Sequence, residues 1–279
     1  MTSGNDGRTD AEAYGSPRVD AFARDPAATG EDPRAGDVMP IGGYRVHSIA
    51  SEALAHELLA ACSRREKIQL FFANTNFVVK CRRLRPRLQS SSVRVVNDGI
   101  GMDLAALLIH RRRFAVNLNG TDFVPDLCRR SPRPLRFFLL GSAPGVAERA
   151  ARHLVDVLGQ RVVGTCDGYA QYAEAGDGLV QRINDAGADV VLVAFGNPRQ
   201  EAWILDNRAA VSAPVMLGVG ALLDFLSGNV KRAPDWVRAC RLEWFYRLSR
   251  EPKRLLRRYT LDLLLFFWIC LRAGKRTEV

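Results

Sequence analysis

The hydrophobic positions of this chain fall into short apolar runs, each followed by a turn and then by apolar residues at helical spacing. The clearest run is residues 135–140 (LRFFLL), which are predicted to form a parallel strand buried on both faces. A glycine turn at 141–145 follows, and residues 146–158 then place alanines and leucines on one helical face. Strand, glycine turn and helix make half of a βαβ unit, whose turn aims backbone N–H groups at an anion above the sheet.

The same alternation predicts the elements of the rest of the chain. The other predicted strands are 44–49, 68–73, 93–97, 114–118, 161–163, 189–195 and 214–219. The other predicted helices are 52–65 with Ser51 as its N-cap, a helix from Phe77 that ends before Pro86, 102–112, and one with Pro198 in its first turn. Alternating strands and helices predict an α/β fold, a Rossmann-like parallel sheet flanked by helices and joined by right-handed crossovers.

The two ends of the chain differ from this central part. Residues 1–38 have no apolar periodicity and are predicted to be disordered. Residues 39–228 carry the alternating pattern and are predicted to be the Rossmann-like domain. Residues 229–279 are predicted to be a basic helical appendage.

Polar residues and glycines cluster directly after the predicted strands. The clusters are 74–76, 98–99, 120–122, 141–145, 167–169 and 196–201. Because the carboxyl ends of parallel strands share one edge of a sheet, we expect these clusters to meet there and form a ligand site.

Asp98 and Asp167 each have a chemical and a structural interpretation. Asp98, at a strand end and followed by glycine, suits either a general base at the mouth of a site or a cap or turn residue. Asp167, 26 residues after Gly141, fits either the ribose-binding acid of a dinucleotide fold or a turn-forming Asp before glycine. The sequence leaves both alternatives open.

Four other polar residues of these clusters have similar alternatives. Gln200 has the reach to donate to a ligand hydroxyl or phosphate, whereas Glu201, at a helix start, complements the helix dipole for structural reasons alone. Asn74 and Asn76 either serve the site or cap the helix that begins near Phe77.

The composition, 47% hydrophobic and 25% charged, is that of a globular protein. No N-terminal apolar stretch follows a basic start, so we expect no secretory signal and assign the six scattered cysteines to reduced thiols in the cytoplasm. The four histidines form no ligand pattern, and no metal site is predicted.

The excess of basic residues lies towards the C-terminus. Residues 229–279 contain 13 Lys and Arg against 5 Asp and Glu, which is +8 of the net charge of +10. Arg254, Arg257 and Arg258 share a helical face, and residues 261–271 are apolar except for Asp262 but too short to cross a bilayer. Together with the neighbouring aromatic residues, this pattern favours an anionic membrane surface over nucleic acid. The structural alternative is an ordinary helix packed on the domain.

In combination, the motifs of this chain resemble those of the WecG/TagA/CpsF bacterial glycosyltransferases (glycosyltransferase family 26). The matching segments, in the family's order, are NTN at 74–76, NDGIG at 97–101, NGTD at 119–122, LLG at 139–141, DGY at 167–169, GNPRQE at 196–201, RAP at 232–234, LEWFYRL at 242–248 and residues 251–259. The resemblance covers residues 39 to 259, and its motifs are specific in combination.

The resemblance implies an inverting, metal-independent hexosyltransferase without a cofactor. Its donor would be a UDP-sugar and its acceptor a saccharide on polyprenyl diphosphate, in exopolysaccharide or cell-wall polymer synthesis. Asp98 matches the proposed base, and Thr75, Asn76 and Gln200 match residues of the pocket. The residues expected at the nucleotide-sugar are Gly141, Asp167, Gly168, Tyr169, Gly196 and Glu201, and those expected at the diphosphate are Arg232, Arg247 and Arg254. The enzyme is expected in the cytoplasm, peripheral on the inner face of the cell membrane.

Two other functional classes stay open. An NAD-type oxidoreductase on the same fold rests on residues 141–145 and Asp167, but the chain lacks GxGxxG and its basic tail would have no purpose. A non-catalytic membrane-binding scaffold leaves the strand-end clusters unexplained.

Overall fold

A computed structural model describes residues 37–230 and 260–274, which belong to one compact unit, Gly36–Val279. Its strands are β1 (Asp37–Ile41), β2 (Tyr44–Ser48), β3 (Ile68–Ala73), β4 (Val93–Asn97), β5 (Arg136–Gly141), β6 (Arg161–Cys166), β7 (Val190–Ala194) and β8 (Val215–Gly218). Its helices are α1 (Ser51–Arg64), α2 (Thr75–Lys80), α3 (Ile100–His110), α4 (Gly120–Arg130), α5 (Val146–Asp156), α6 (Ala170–Ala175), α7 (Gly178–Asp185), α8 (Arg199–Asn207), α9 (Leu222–Leu226) and α10 (Leu261–Gly274).

The eight strands form one sheet in the order β1-β2-β4-β3-β8-β7-β5-β6. β1 and β2 pair antiparallel, and every other neighbouring pair is parallel. The predicted α/β fold is therefore confirmed, and the strand order, which periodicity does not reveal, is now defined. Because seven strands run parallel, the segments that follow them lie along one edge of the sheet.

Two apolar layers cover the sheet, one on each face. Alternate residues of a strand point to opposite layers, as Leu70 and Phe71 of β3 do. Helices α2, α3, α8 and α10 contribute to the first layer, and α1, α4, α5 and α9 to the second. Burial on both faces explains why β3, β5 and β7 are almost wholly apolar.

Two local predictions are wrong, and one strand was missed. Residues 114–118 do not form a strand. In a strand, residue 116 would share a face with Phe114 and Leu118, yet it is exposed while both of them are buried. This segment instead passes the end of β4, where the Leu118 N–H donates to the Asn97 carbonyl at 3.0 Å. Ser51 does not cap α1, since its hydroxyl donates to Asp126 at 2.8 Å. The antiparallel strand β1 was not predicted.

Helix α10 contains the apolar residues 261–271 and packs on α2, α3 and β1. Phe266, Ile269 and Cys270 are its buried side chains, so this part of the predicted appendage lies against the domain. No helix within residues 37–230 or 260–274 combines the length and apolar character that crossing a bilayer requires.

Candidate active site

A cleft of about 1030 Å³ opens at the carboxyl edge of the parallel strands. Segments that follow β3, β4, β5, β6, β7 and β8 all line it, as does the loop and helix start at 117–122. The predicted convergence of the strand-end clusters is thus observed. The N-terminal residues of four helices, α2, α3, α4 and α8, also line the cleft, and helix N-termini carry partial positive charge that favours an anion.

Asp98 lies at the end of β4, half-buried in the wall of this cleft. Its backbone N–H donates to the Ala73 carbonyl at 2.8 Å, which fixes the loop against β3. Its Oδ2 accepts from Asn74 Nδ2 at 3.2 Å. The N-cap of α3 is Gly99 and no side chain caps that helix, so the helix-cap alternative for Asp98 does not apply.

Asn74 has both of the roles that the sequence left open. Its Oδ1 accepts from the Phe77 N–H at 3.1 Å and caps α2, while its Nδ2 orients the Asp98 carboxylate. Thr75 and Asn76, in the first turn of the same helix, line the cleft. A Cβ on Gly101 would collide with the Thr75 side chain, so a glycine at this position lets α3 start directly beside α2.

Gln200 is held in place by the loops on either side of it. Its Oε1 accepts from the N–H groups of Gly196 and Gly220, both at 3.1 Å, and so joins the loops that follow β7 and β8. Its Nε2 donates to Glu201 Oε1 at 2.8 Å. Gln200 lines the cleft, and these bonds fix its position there.

Glu201 lies behind the wall of the cleft, not on its surface. Its side chain is fully buried, and its Oε1 also accepts from Asn197 Nδ2 at 2.6 Å. Asn197 in turn accepts from Asn76 Nδ2 at 3.1 Å. Burial raises the pKa of Glu201, although hydrogen bonds from Gln200, Asn197 and Cys81 oppose this rise. Glu201 therefore positions Gln200 and Asn197, and through Asn197 it supports Asn76.

Asp167 and Gly141 also act within the protein. Asp167 is buried, and its Oδ1 accepts from the N–H groups of Tyr169 and Gln171 at 2.8 and 3.2 Å, which is its turn-forming alternative. Gly141 has a φ of +113°, and a Cβ there would lie 2.6 Å from the Ala194 carbonyl oxygen. These contacts account for Asp167 and Gly141 without a ligand, so they do not support the dinucleotide interpretation. Gly168, Tyr169 and Gly196, predicted with them, do line the cleft.

Arg199 is a lining residue that the sequence analysis missed. It is the first residue of α8, and its guanidinium carbon lies 5.8 Å from the centre of the Phe195 ring. The sequence signal that could have identified Arg199 was its position at the start of a predicted helix. The predicted diphosphate residues Arg232, Arg247 and Arg254 lie outside the described residues. Within residues 37–230 and 260–274, no three His, Cys, Asp or Glu residues are grouped as a metal ion would need.

A model of the glycosyl transferase WecG/TagA/CpsF family matches residues 39–279. The chain belongs to this family. Membership in the WecG/TagA/CpsF family confirms the resemblance seen in the sequence and indicates glycosyltransferase activity, and it disfavours the oxidoreductase alternative.

One solved structure also has a weak likeness to this chain, nicotinate phosphoribosyltransferase from Vibrio cholerae. The match has 14% sequence identity and a TM-score of 0.25, and it covers 65% of this chain. The chain spans 48% of the length of that protein. A TM-score this low bears on neither fold nor function.

Proposed function

We propose that this WecG/TagA/CpsF-family protein is an inverting hexosyltransferase that uses a UDP-sugar. Its acceptor would be a saccharide on polyprenyl diphosphate, in exopolysaccharide or cell-wall polymer synthesis. The observation that carries the proposal is the Asp98 carboxylate, oriented by Asn74 in the wall of a cleft of about 1030 Å³. Ligand pockets span about 300–1,000 Å³, so this cleft is at the upper end of the range and suits a ligand as large as a nucleotide-sugar.

The proposed reaction is a single displacement. Asp98 accepts the proton of an acceptor hydroxyl while that oxygen forms a bond to the anomeric carbon of the donor. The bond from this carbon to UDP breaks on the opposite face, and UDP leaves with the electron pair. Attack from the face opposite the leaving group inverts the anomeric centre.

UDP departs as an anion, and the proposed stabilisation comes from the protein alone. The helix N-termini at the cleft and the Arg199 guanidinium are the described groups with suitable charge. We assign the same role to Arg232, Arg247 and Arg254, on the strength of the family resemblance. Gly168, Tyr169 and Gly196 would contact the nucleotide-sugar, because they line the cleft as Arg199 does.

The proposed location is the cytoplasmic face of the cell membrane, with the protein bound peripherally. The concentration of +8 of the net charge within residues 229–279 supports this proposal, because anionic lipids attract clustered Lys and Arg.

Calorimetry with UDP, a panel of UDP-sugars and NAD tests the donor class. We expect UDP and one UDP-sugar to bind and NAD not to bind. Binding of NAD without binding of UDP would overturn the proposal. An assay of the panel with a lipid-linked acceptor, followed by NMR of the product anomer, then tests transfer and inversion.

The metal-independent part of the proposal has its own test. Turnover should survive EDTA, because the groups assigned to UDP stabilisation are all protein groups. Complete loss of turnover with EDTA, restored by Mg²⁺ or Mn²⁺, would refute metal independence and leave the donor class standing.

A further inference from the structure

Helix α3 exposes a stripe of large apolar side chains. Ile100, Leu104, Leu107 and Leu108 are 40% to 64% exposed, and their spacing puts them on one side of the helix. The opposite side carries the buried residues Met102, Ala105 and Ala106. A helix on the surface of a globular domain normally places polar residues on its outer side, so this stripe is unusual.

Helix α10, which packs on α3, exposes a second apolar stripe. Its outer side carries Leu261, Leu264, Trp268 and Leu271, which are 53% to 70% exposed. We call the two stripes together the α3–α10 face.

The α3–α10 face borders the mouth of the cleft. Ile100 and Leu104 from α3, and Leu263 and Phe267 from α10, line the cleft itself. An apolar surface therefore begins where the candidate active site opens.

Basic side chains lie on or next to the helices of this apolar face. Arg111, Arg112 and Arg113 are exposed directly after α3, and Arg112 pairs with Asp37. Lys80, Arg82 and Arg83 are exposed at the end of α2, the helix on which α10 packs. Arg272 lies with its guanidinium carbon 5.1 Å from the centre of the Trp268 ring.

We propose that the α3–α10 face docks on the surface of an anionic lipid bilayer, so that the cleft opens at the level of the headgroups. Leucines with a flanking tryptophan suit the boundary between headgroups and acyl chains, and the neighbouring arginines suit anionic headgroups. The charge favours a lipid occupant, since an apolar protein partner or a second copy of this basic chain would gain nothing from the arginines at the end of α3 and on α10. The docking surface thus includes a helix of the Rossmann-like domain itself, and is not confined to residues 229–279.

Docking in this orientation has a consequence that rests on the proposed function. A saccharide on a polyprenyl diphosphate could enter the cleft while its lipid stays in the bilayer. The docking itself does not depend on which sugar is transferred.

Flotation of the full chain with vesicles of phosphatidylcholine, with and without phosphatidylglycerol, tests the proposal. The α3 variant Leu107→Gln with Leu108→Gln keeps helix propensity and changes no residue that lines the cleft. The control variant is Val155→Gln with Val157→Gln, two exposed apolar residues at the end of α5. We expect the α3 variant to bind anionic vesicles at least tenfold more weakly than the wild type, because full burial of one leucine is worth roughly a factor of ten. The control should bind within about twofold of the wild type, as expected for surface positions away from the contact.

A third variant separates the two contributions to binding. Arg111→Gln with Arg113→Gln should weaken binding to the anionic vesicles and leave binding to pure phosphatidylcholine unchanged. High salt should weaken anionic binding only in part, because apolar contacts are not screened.

Wild-type vesicle binding by the α3 variant would overturn the proposal. A change from oligomer to monomer in sedimentation, without a change in vesicle binding, would also overturn it and identify the face as an interface between copies. Calorimetry of UDP with the same variant keeps the proposals apart. If UDP fails to bind even the wild type, the proposed function fails while the docking result stands.

Discussion

At the amino edge of the sheet, Asp189 lies directly before β7, and at the carboxyl edge, Asp98 lies directly after β4. Asp189 is buried and accepts from Arg136 at 3.0 Å and from Arg133 at 3.2 Å. Asp98 is half-buried, is oriented by Asn74 and faces the cleft. The two edges therefore use the same residue type differently. Protein groups surround the carboxylate at the amino edge, whereas the carboxylate at the other edge meets a ligand-sized space.

Their partners explain why the carboxylates differ. Burial alone would raise the pKa of Asp189, but hydrogen bonds from Arg136 and Arg133 outweigh burial and hold its pKa below the ordinary value. Asp189 is therefore expected to stabilise the fold, and Asp98 to serve the reaction. Glu201, buried at the carboxyl edge, shares features of both roles. It is buried like Asp189, but the residues that it stabilises line the cleft.

Substitution of Asp98 should give the largest effect. Asp98→Asn should lower turnover by about 10²–10⁴, the usual effect of losing a general base, and change UDP affinity by no more than a few-fold. Steady-state kinetics and calorimetry check the two quantities. A variant with near-normal turnover would remove Asp98 from the mechanism.

Substitution of Glu201 should affect both stability and turnover. Glu201→Ala removes the acceptor of the Asn197 and Gln200 amides, and the buried Gln200 amide alone should cost about 1–3 kcal/mol in unfolding free energy. Turnover should fall as well as stability, because Gln200 loses its bond to Glu201 and Asn76 loses the support that Glu201 provides through Asn197. Urea unfolding and kinetics measure both effects. Glu201→Gln should restore most of each, and exposed Glu174→Ala is the matched control. Wild-type stability and turnover in Glu201→Ala would show that Glu201 positions nothing.

Substitution of Asp189 should affect stability alone. Asp189→Asn weakens the charge-assisted bonds to Arg136 and Arg133 and should lower the unfolding free energy by about 1–3 kcal/mol. Turnover per folded molecule should not change, because Asp189 lies at the edge opposite the cleft. Exposed Asp156→Asn serves as the control in the same unfolding and kinetic assays. A large loss of turnover in folded Asp189→Asn would contradict the division of roles between the edges.

The smallest effects are the pH dependences, which should have opposite signs at Asp189 and Glu201. The pKa of Asp189 is lowered by folding, so its contribution is present above its ordinary pKa and is lost as pH falls through the lowered value. The pKa of Glu201 is raised by folding, so its contribution is greatest below its ordinary pKa and declines as pH rises through the raised value. Urea unfolding from acid to neutral pH, with Asp189→Asn and Glu201→Gln as non-titrating references, measures both slopes. Slopes of the same sign would refute the comparison.

The sequence predicts the central part of the fold because its strands are buried on both faces, and such runs are distinct in pattern. It does not predict β1, a short antiparallel strand directly after the aperiodic residues 1–36. The strand at 114–118 was predicted because Ala115 and Val116 make the segment look like an apolar run. The prediction fails because these two residues are exposed and only Phe114 and Leu118 are buried.

The sequence places Asp98 correctly because a residue after a parallel strand must lie at the carboxyl edge. It does not show that Glu201 and Asp167 are buried, since both depend on tertiary neighbours. Gln200 reaches Gly220 because β7 and β8 are adjacent, and Asp167 accepts from the turn that follows it. Strand order and the partners of a carboxylate are therefore the features that the sequence pattern lacks.

The most direct test of the central claim is a crystal structure of Asp98→Asn with an intact UDP-sugar and an acceptor analogue. We predict that the donor lies in the cleft at the carboxyl edge. The substituted amide at position 98 should lie about 3 Å from the acceptor hydroxyl, on the face of the anomeric carbon opposite UDP. A donor bound outside this cleft, or an acceptor hydroxyl beyond the reach of the side chain at position 98, would contradict the account.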